Sequence, residues 1–317
     1  MTDYLTELHR LPVFDFPLPD EDPQLPEPEA AAWRISYNPY AEESDEVFEG
    51  RFDRFLTTVD PTRVRALIIG QWGEAYDKDS AVIVDLLVAA KDRLTSLEAV
   101  FIGDLEAGDA EISWIQQSDV TPVLDAYPGL RELGIRGGSG LRFPATGHQN
   151  LRRLRFETGG LPGEVVRGVS GSELPALEHL EMWFGVDEYG GDVTVGDLAP
   201  LLSGGRFPAL RHLGLMNSEI QDEIAAAVAS APVLAQLDSL DLSMGVLTDD
   251  GAAALLDGQP LTHLTRLDLD HNYFSEPMEQ RLRDALEPSG VKVALSEKGD
   301  EYEWEDGEVQ RYTAVAE

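Results

Sequence analysis

The 317 residues carry 24 basic and 59 acidic side chains, a formal charge of −35, and no cysteine. A surface of that sign repels phosphate backbones and anionic lipids, so nucleic acid and membrane surfaces are excluded as expected partners. A basic protein or peptide fits it better, unless the charge serves solubility alone, and the missing cysteines remove disulfides, thiolate metal sites and cysteine nucleophiles together.

Residues 1–30 are rich in proline and acid (LPVFDFPLPDEDPQLPEPEA). Proline denies backbone donors and blocks helix, which predicts an extended arm pinned by Val13, Phe14 and Phe16, with a disordered tail as the alternative. The opening MTDYLTELHR has no basic start followed by an apolar run. Nowhere does an apolar stretch approach the roughly 18 residues of a membrane span. The expectation is a cytoplasmic protein. Residues 31–63 are expected to form an N-terminal cap. AWRISY alternates like a strand, and a helix over 42–59, starting near Ser44, would bury Val47, Phe48, Phe52, Phe55 and Leu56.

From 64 to 295 one frame recurs. Its first positions are Val64, Leu97, Leu130, Leu151, Leu177, Leu210, Leu237 and Leu264, in steps of 33, 33, 21, 26, 33, 27 and 27 residues. Positions 4 and 6 are Leu67/Ile69, Val100/Ile102, Leu133/Ile135, Leu154/Phe156, Leu180/Met182, Leu213/Leu215, Leu240/Leu242 and Leu267/Leu269. All sixteen are large and apolar, as the inward side of a strand requires. Helical patterns fill the return legs over 81–93, 120–127, 164–169, 195–202, 221–230, 250–256 and 277–286. The 21-residue step is too short for the same helix, so 137–150 (GGSGLRFPATGHQN) should return as a loop. Because no single repeat buries its own leucines, the repeats must stack, with parallel strands and right-handed crossovers. Helices are wider than the strand spacing, so the stack should bend with the sheet inside. Tyr302, Trp304 and Tyr312 make 296–317 too aromatic for a plain acidic tail and predict a C-terminal cap.

TDDGAAALL and EIQDEIAAAVASAPVLAQLDSL resemble repeats of the ribonuclease-inhibitor-like class of leucine-rich-repeat proteins. The resemblance implies an α/β right-handed solenoid, a horseshoe with its parallel sheet concave and its helices convex. The whole chain also resembles an uncharacterised actinobacterial leucine-rich-repeat family. One departure stands out: frame position 9, usually Asn, is Asn only at Asn272 and is Gly at Gly138, Gly159, Gly185 and Gly245.

Positions 3, 5 and 7 are expected on the concave side. Ile68 and Phe101 there need cover, either from residues 11–18 of the chain's own arm or from a partner. Arg136, Arg153 and Arg155 lie on adjacent strands, ready to clamp an anion or to pair with Glu132, Glu157 and Glu181. Trp183 and Met216 have the character of interface anchors, unless a loop packs over them. His179 and His212 share one position on neighbouring strands. With Glu181 they are weak candidates for a metal, a stacked pair being the alternative. The loops after the strands bring Trp72, Glu74, Tyr76, Asp104, Trp114, Gln116, Gln117, Glu188, Tyr189 and Asp192 to one rim, the edge where parallel α/β sheets bind ligands. Trp114 with Ile115 has an alternative as a buried helix face, and the acids Asp249 and Asp250 read as solvated turns.

No Walker loop, His-Glu-x-x-His or Gly-x-Ser-x-Gly elbow is present, so no catalytic residue and no cofactor is expected. The residues point to a non-catalytic scaffold that binds a protein partner, a basic protein or a peptide. Its surface would comprise Arg136, Arg153, Arg155, Glu157, Trp183, Met216, Trp72, Glu74, Tyr76, Glu188 and Tyr189. The alternatives are a small-molecule, anion or metal-binding accessory protein of a biosynthetic pathway, and an inhibitor of a basic enzyme.

Overall fold

Two inward side chains per repeat contribute about 3–6 kcal/mol on burial. Ordering some 27 residues costs several times that, at roughly 1–2 kcal/mol each. A repeat therefore folds only against its neighbours. The computed structural model, which describes residues 3–37, 46–304 and 309–317, shows how this chain solves the problem.

Twelve strands form one sheet in strict sequence order. They are β1 (Glu7–Leu8), β2 (Leu11–Asp15), β3 (Ala32–Tyr37), β4 (Ala66–Trp72), β5 (Ala99–Ile102), β6 (Glu132–Arg136), β7 (Arg153–Glu157), β8 (His179–Gly185), β9 (His212–Ser218), β10 (Ser239–Asp241), β11 (Arg266–Asp268) and β12 (Lys292–Ala294). Every neighbouring pair from β2 onward is parallel, and only β1 and β2 form an antiparallel hairpin. The register aligns Ala66, Ala99, Glu132, Arg153, His179, His212, Ser239 and Arg266 across the sheet, the third position of each frame. A separate exposed hairpin pairs β13 (Glu301–Glu303) with β14 (Val309–Arg311).

Among the described residues there are eight helices: α1 (Phe48–Thr58), α2 (Ala81–Ala89), α3 (Thr121–Ala126), α4 (Gly163–Gly171), α5 (Val195–Leu202), α6 (Gln221–Ala229), α7 (Asp249–Asp257) and α8 (Glu276–Leu286). The seven return-leg helices fall where the periodicity places them, within a few residues at each end. Among the described residues no helix is long and apolar enough to cross a membrane. Between β6 and β7 the chain returns without a helix and buries Leu141 and Phe143 instead. All sixteen inward frame residues are at most 1% exposed and join the helix residues in one continuous core. A second turn recurs that the frame did not include. Leu94, Tyr127, Leu174, Phe207, Leu234 and Leu261 each accept a bond from the frame residue three positions on, and each is buried.

Aspartates tie neighbouring repeats together. Asp222 accepts from the backbone and hydroxyl of Thr248 (2.8 and 2.6 Å), and Asp249 accepts likewise from Ser275 (2.9 and 2.6 Å). Asp222 also accepts from the Gly251 N–H in the first turn of α7 (3.2 Å), whereas Asp249 holds Ser275, the residue that caps α8. Asp249 is a tie between repeats, not a solvated turn residue.

The N-terminal segment is an extended arm ordered in the sheet, with Phe16 buried against Phe55 and Trp33 packed edge-on to Phe14. Two other expectations for the ends need correction. Val47 precedes α1 and is 52% exposed, because the helix begins only at Phe48; the start expected at Ser44 lies outside the described residues. The aromatics Tyr302, Trp304 and Tyr312 are about half exposed, whereas Thr313 and Val315 are buried. The end of the chain is held by small side chains and its backbone.

Candidate functional site

The sheet face away from the helices is divided into a covered part, an open part and an edge. The cover is the β1–β2 hairpin. Leu8 is buried against Ala32, Ala66, Ile68, Ala99 and Phe101, and Leu5, Leu11 and Val13 pack around it. The chain's own arm therefore covers the apolar strands, with residues 5–13 and not 11–18, since Phe14 and Phe16 turn to the helix side. The hairpin turn is unusual. His9 and Arg10 both have positive φ (55° and 60°), a conformation that favours Gly and Asn. His9 is held between Glu98 (3.4 Å) and Glu132 (3.3 Å).

Arg136 is not available to a partner. It is 3% exposed, bonds Glu157 at 2.8 Å, and donates to the Leu105 carbonyl (2.6 Å) and to Asp3 in the arm (3.1 Å). Glu157 is buried with it and also holds Arg155 (3.2 Å). Asp104, fully buried, accepts from Arg34 (2.8 Å) and from the Leu5 backbone (3.0 Å). Burial raises its carboxyl above the usual range, against the pull of those donors. So Arg136, Glu157 and Asp104 fasten arm to sheet. Arg153 is exposed, and Arg155 is half-buried with its guanidinium over Phe101 at 5.1 Å.

Beyond the hairpin the face is polar. The rings of His179 and His212 stack 4.0 Å apart at 12°. Glu181 Oε1 lies 2.7 Å from His179 Nε2 and 3.2 Å from His212 Nε2, and His212 Nδ1 lies 2.7 Å from Ser239 Oγ. Burial opposes charge on Glu181, but the hydrogen bonds of both imidazoles and the charge of Arg155 hold its carboxyl well below the usual range. Burial likewise lowers His179, favouring its neutral form. The three ligand atoms are close enough for an ion. Yet parallel rings direct their nitrogen lone pairs side by side and not to one point. In this arrangement they form a hydrogen-bonded pair sharing a carboxylate. Trp183 is half-buried beside them. Met216, its partner in register, is only 8% exposed, because it precedes Asn217 at the strand end where the chain terminus crosses. Asp241 and Asp268 close the row; burial, with the charges of Asp268 and Glu181, lifts the Asp241 carboxyl to about 6, against its Ser243 hydrogen bonds.

The strand-end rim is occupied by the chain's own C-terminus. Tyr312 exchanges hydrogen bonds with the Tyr273 hydroxyl (2.6 and 2.9 Å), and Ala314 donates to the Met244 carbonyl (2.8 Å). Val315 is held on both backbone groups by the Asn217 side chain (2.6 and 3.0 Å), and Ala316 accepts from Ser113 Oγ (2.8 Å). Tyr189 reaches Glu317. This strap runs back across five strand ends. It accounts for one glycine at frame position 9, since a Cβ at Gly159 would lie 2.1 Å from the Ala316 carbonyl. The others are crowded by the neighbouring loop, as where a Cβ at Gly185 (φ +69°) would lie 1.9 Å from the Gly159 carbonyl. Asn272 alone plays the usual role, donating to Leu269 O at 2.7 Å.

The rim residues are accordingly split. Trp72 is 3% exposed, with its indole N–H on Lys78 O (3.0 Å), because β4 continues through it. Gln117 is buried on the Arg136 carbonyl, and Asp192 caps α4 at Gly163. Glu74, Gln116 and Tyr189 are half-buried, while Glu188 and Asp192 are exposed. Tyr76 (39%) and Trp114 (52%) are exposed, and of the pair Trp114–Ile115 only Ile115 is core. Sequence reasoning missed the strap and Asn217. Nothing in the frame marked either, because of the four position-9 glycines only Gly159 faces the strap.

No family model and no curated protein matches the chain. Among solved structures it is similar to the crystal structure of a protein from Bacteroides fragilis, a structural-genomics target. The two share 33% identity over 91% of this chain and 78% of that one, with a TM-score of 0.80.

Proposed function

We infer that this chain, which belongs to the family of that Bacteroides fragilis protein, is a leucine-rich-repeat horseshoe acting as a non-catalytic scaffold for a protein partner. The observation that carries this reading is the open row between hairpin and strap. Arg155, His179, Glu181, Trp183, His212, Ser239 and Asp241 are half-buried there, while the apolar strands on one side and the strand ends on the other are covered by the chain itself. Covering what is sticky and leaving a polar row around one tryptophan is how a binding face is kept soluble yet specific. The row runs from basic at Arg155 to acidic at Asp241 and Asp268. A docked segment would be oriented by its own charges.

A photo-crosslinker in place of Trp183, compared with one in place of Glu223 on the helix side, tests this in the native cell extract. One stoichiometric adduct from position 183, absent from position 223 and reduced by Arg155→Ala, is expected. Equal labelling from both positions, or none from 183, overturns the reading.

A further inference from the structure

Under the hairpin lies a cleft of about 720 Å³, lined by residues 7–11 of the arm and by Arg65, Arg131, Glu132, Arg152, Arg153, Arg155 and Glu178. Counting Arg10, its walls hold six arginines against three glutamates, Glu7, Glu132 and Glu178, and with Glu98 and Glu157 paired behind them the balance is 6 − 5 = +1, in a chain of net charge −35. Four of the six have partners. Arg65 and Arg131 share Glu98 (2.6 and 3.4 Å), Arg152 pairs with Glu178, and Arg155 pairs with Glu157. Arg10 and Arg153 have no carboxylate partner among the described residues, and both are exposed.

Arg10 is also held at a cost. Two successive side chains with positive φ each cost about 1–2 kcal/mol over glycine. His9 recovers part of this between its two carboxylates, whereas Arg10 has no carboxylate partner among the described residues and its turn is held by the pairing of Leu8 with Leu11. The acidic remainder of the surface does not cancel the cleft, because charges beyond about 8 Å are screened at physiological salt.

We propose that this cleft binds a small polyanion, with phosphate or carboxylate groups received by the free guanidinium forks of Arg10 and Arg153. Guanidinium matches either oxyanion with two parallel hydrogen bonds, and the cleft has the size of a small-molecule site. This site adjoins the face around Trp183 and shares Arg155 with it, but it rests on Arg10 and Arg153 and stands whether or not that face binds a protein.

Calorimetric titration of the full chain with pyrophosphate and, separately, with citrate decides the matter. One-to-one saturable binding of at least one is expected, weakened by added salt; the tighter of the two identifies the oxyanion class. Arg153→Ala should weaken binding roughly tenfold or more. Arg10→Gly should do the same while leaving the melting temperature equal or higher, since glycine relaxes the turn. Arg266→Ala, at the far end of the sheet, should change nothing. No saturable binding of either anion up to millimolar concentration, or binding indifferent to both Arg10→Gly and Arg153→Ala, overturns the proposal.

Discussion

The side-chain amide of Asn217 bonds both backbone groups of Val315, 98 residues away, donating to its carbonyl at 2.6 Å and accepting from its N–H at 3.0 Å. Both residues are buried, and Asn217 sits at φ +55°, a conformation asparagine tolerates better than most. Asn217→Ala leaves the Val315 N–H without a partner and its carbonyl only the long bond from the Thr313 hydroxyl (3.4 Å), and it strains the backbone. A loss of about 2–4 kcal/mol is expected. Asn217→Gly keeps the φ and loses only the clamp, so it should cost less. In both variants the amides of Ala314 and Val315 should exchange much faster. Unchanged protection of those amides would show that the strap is held elsewhere.

Arg136 and Glu157 form an ion pair that is almost fully buried. Removing the arginine leaves buried Glu157 with Arg155 alone and buried Asp104 with Arg34 alone. Arg136→Met should therefore cost about 3–5 kcal/mol in urea unfolding. Adding Glu157→Gln to it should cost less than the sum of the two single changes, since the charge left behind is the main penalty. Simple additivity would mean that the pair is not coupled.

Asp241 supplies a pH signature. Its folded carboxyl titrates at about 6 against an ordinary 3.8, because burial and nearby acids disfavour its charge. Between those values the folded state holds a proton that the unfolded chain has released. The contribution of Asp241 to stability therefore falls as pH rises from about 4 to about 6. Asp241→Asn removes this slope. At pH 7.5 the variant should be more stable than the parent by about 1–3 kcal/mol, and the gap should close near pH 3.5. A variant less stable at pH 7.5 would reject the assignment.

Gly168 lies inside α4, where alanine is ordinarily better by about 1 kcal/mol. Here a Cβ would fall 1.7 Å from the Phe143 carbonyl in the helix-free return. That loop is also joined to the end of α4 through Thr146 and Glu173 (2.8 Å). The clash outweighs the propensity, and Gly168→Ala should destabilise by more than about 2 kcal/mol. A neutral or higher melting temperature would show that the loop yields freely.

The leucine frame determined the repeats, the register and the seven return-leg helices by itself. Inward burial of Leu240 and Leu242 in one repeat, and of their counterparts in the others, depends only on spacing along a few residues, and period is a local property. The short step between Leu130 and Leu151 likewise excluded a helix on length alone. Only the tertiary structure decided which concave candidates remain accessible. Arg136 and Glu157 read as surface by position and are buried, because residues distant in sequence reach them, whereas Trp72 is buried because β4 runs on through it. Asp3 and Leu5 close over the first strands, and Val315 and Ala316 close over the strand ends. These contacts join the two termini to the middle of the chain through hydrogen bonds on backbone groups. Every residue has those groups, so the sequence carries no mark of where they will bind.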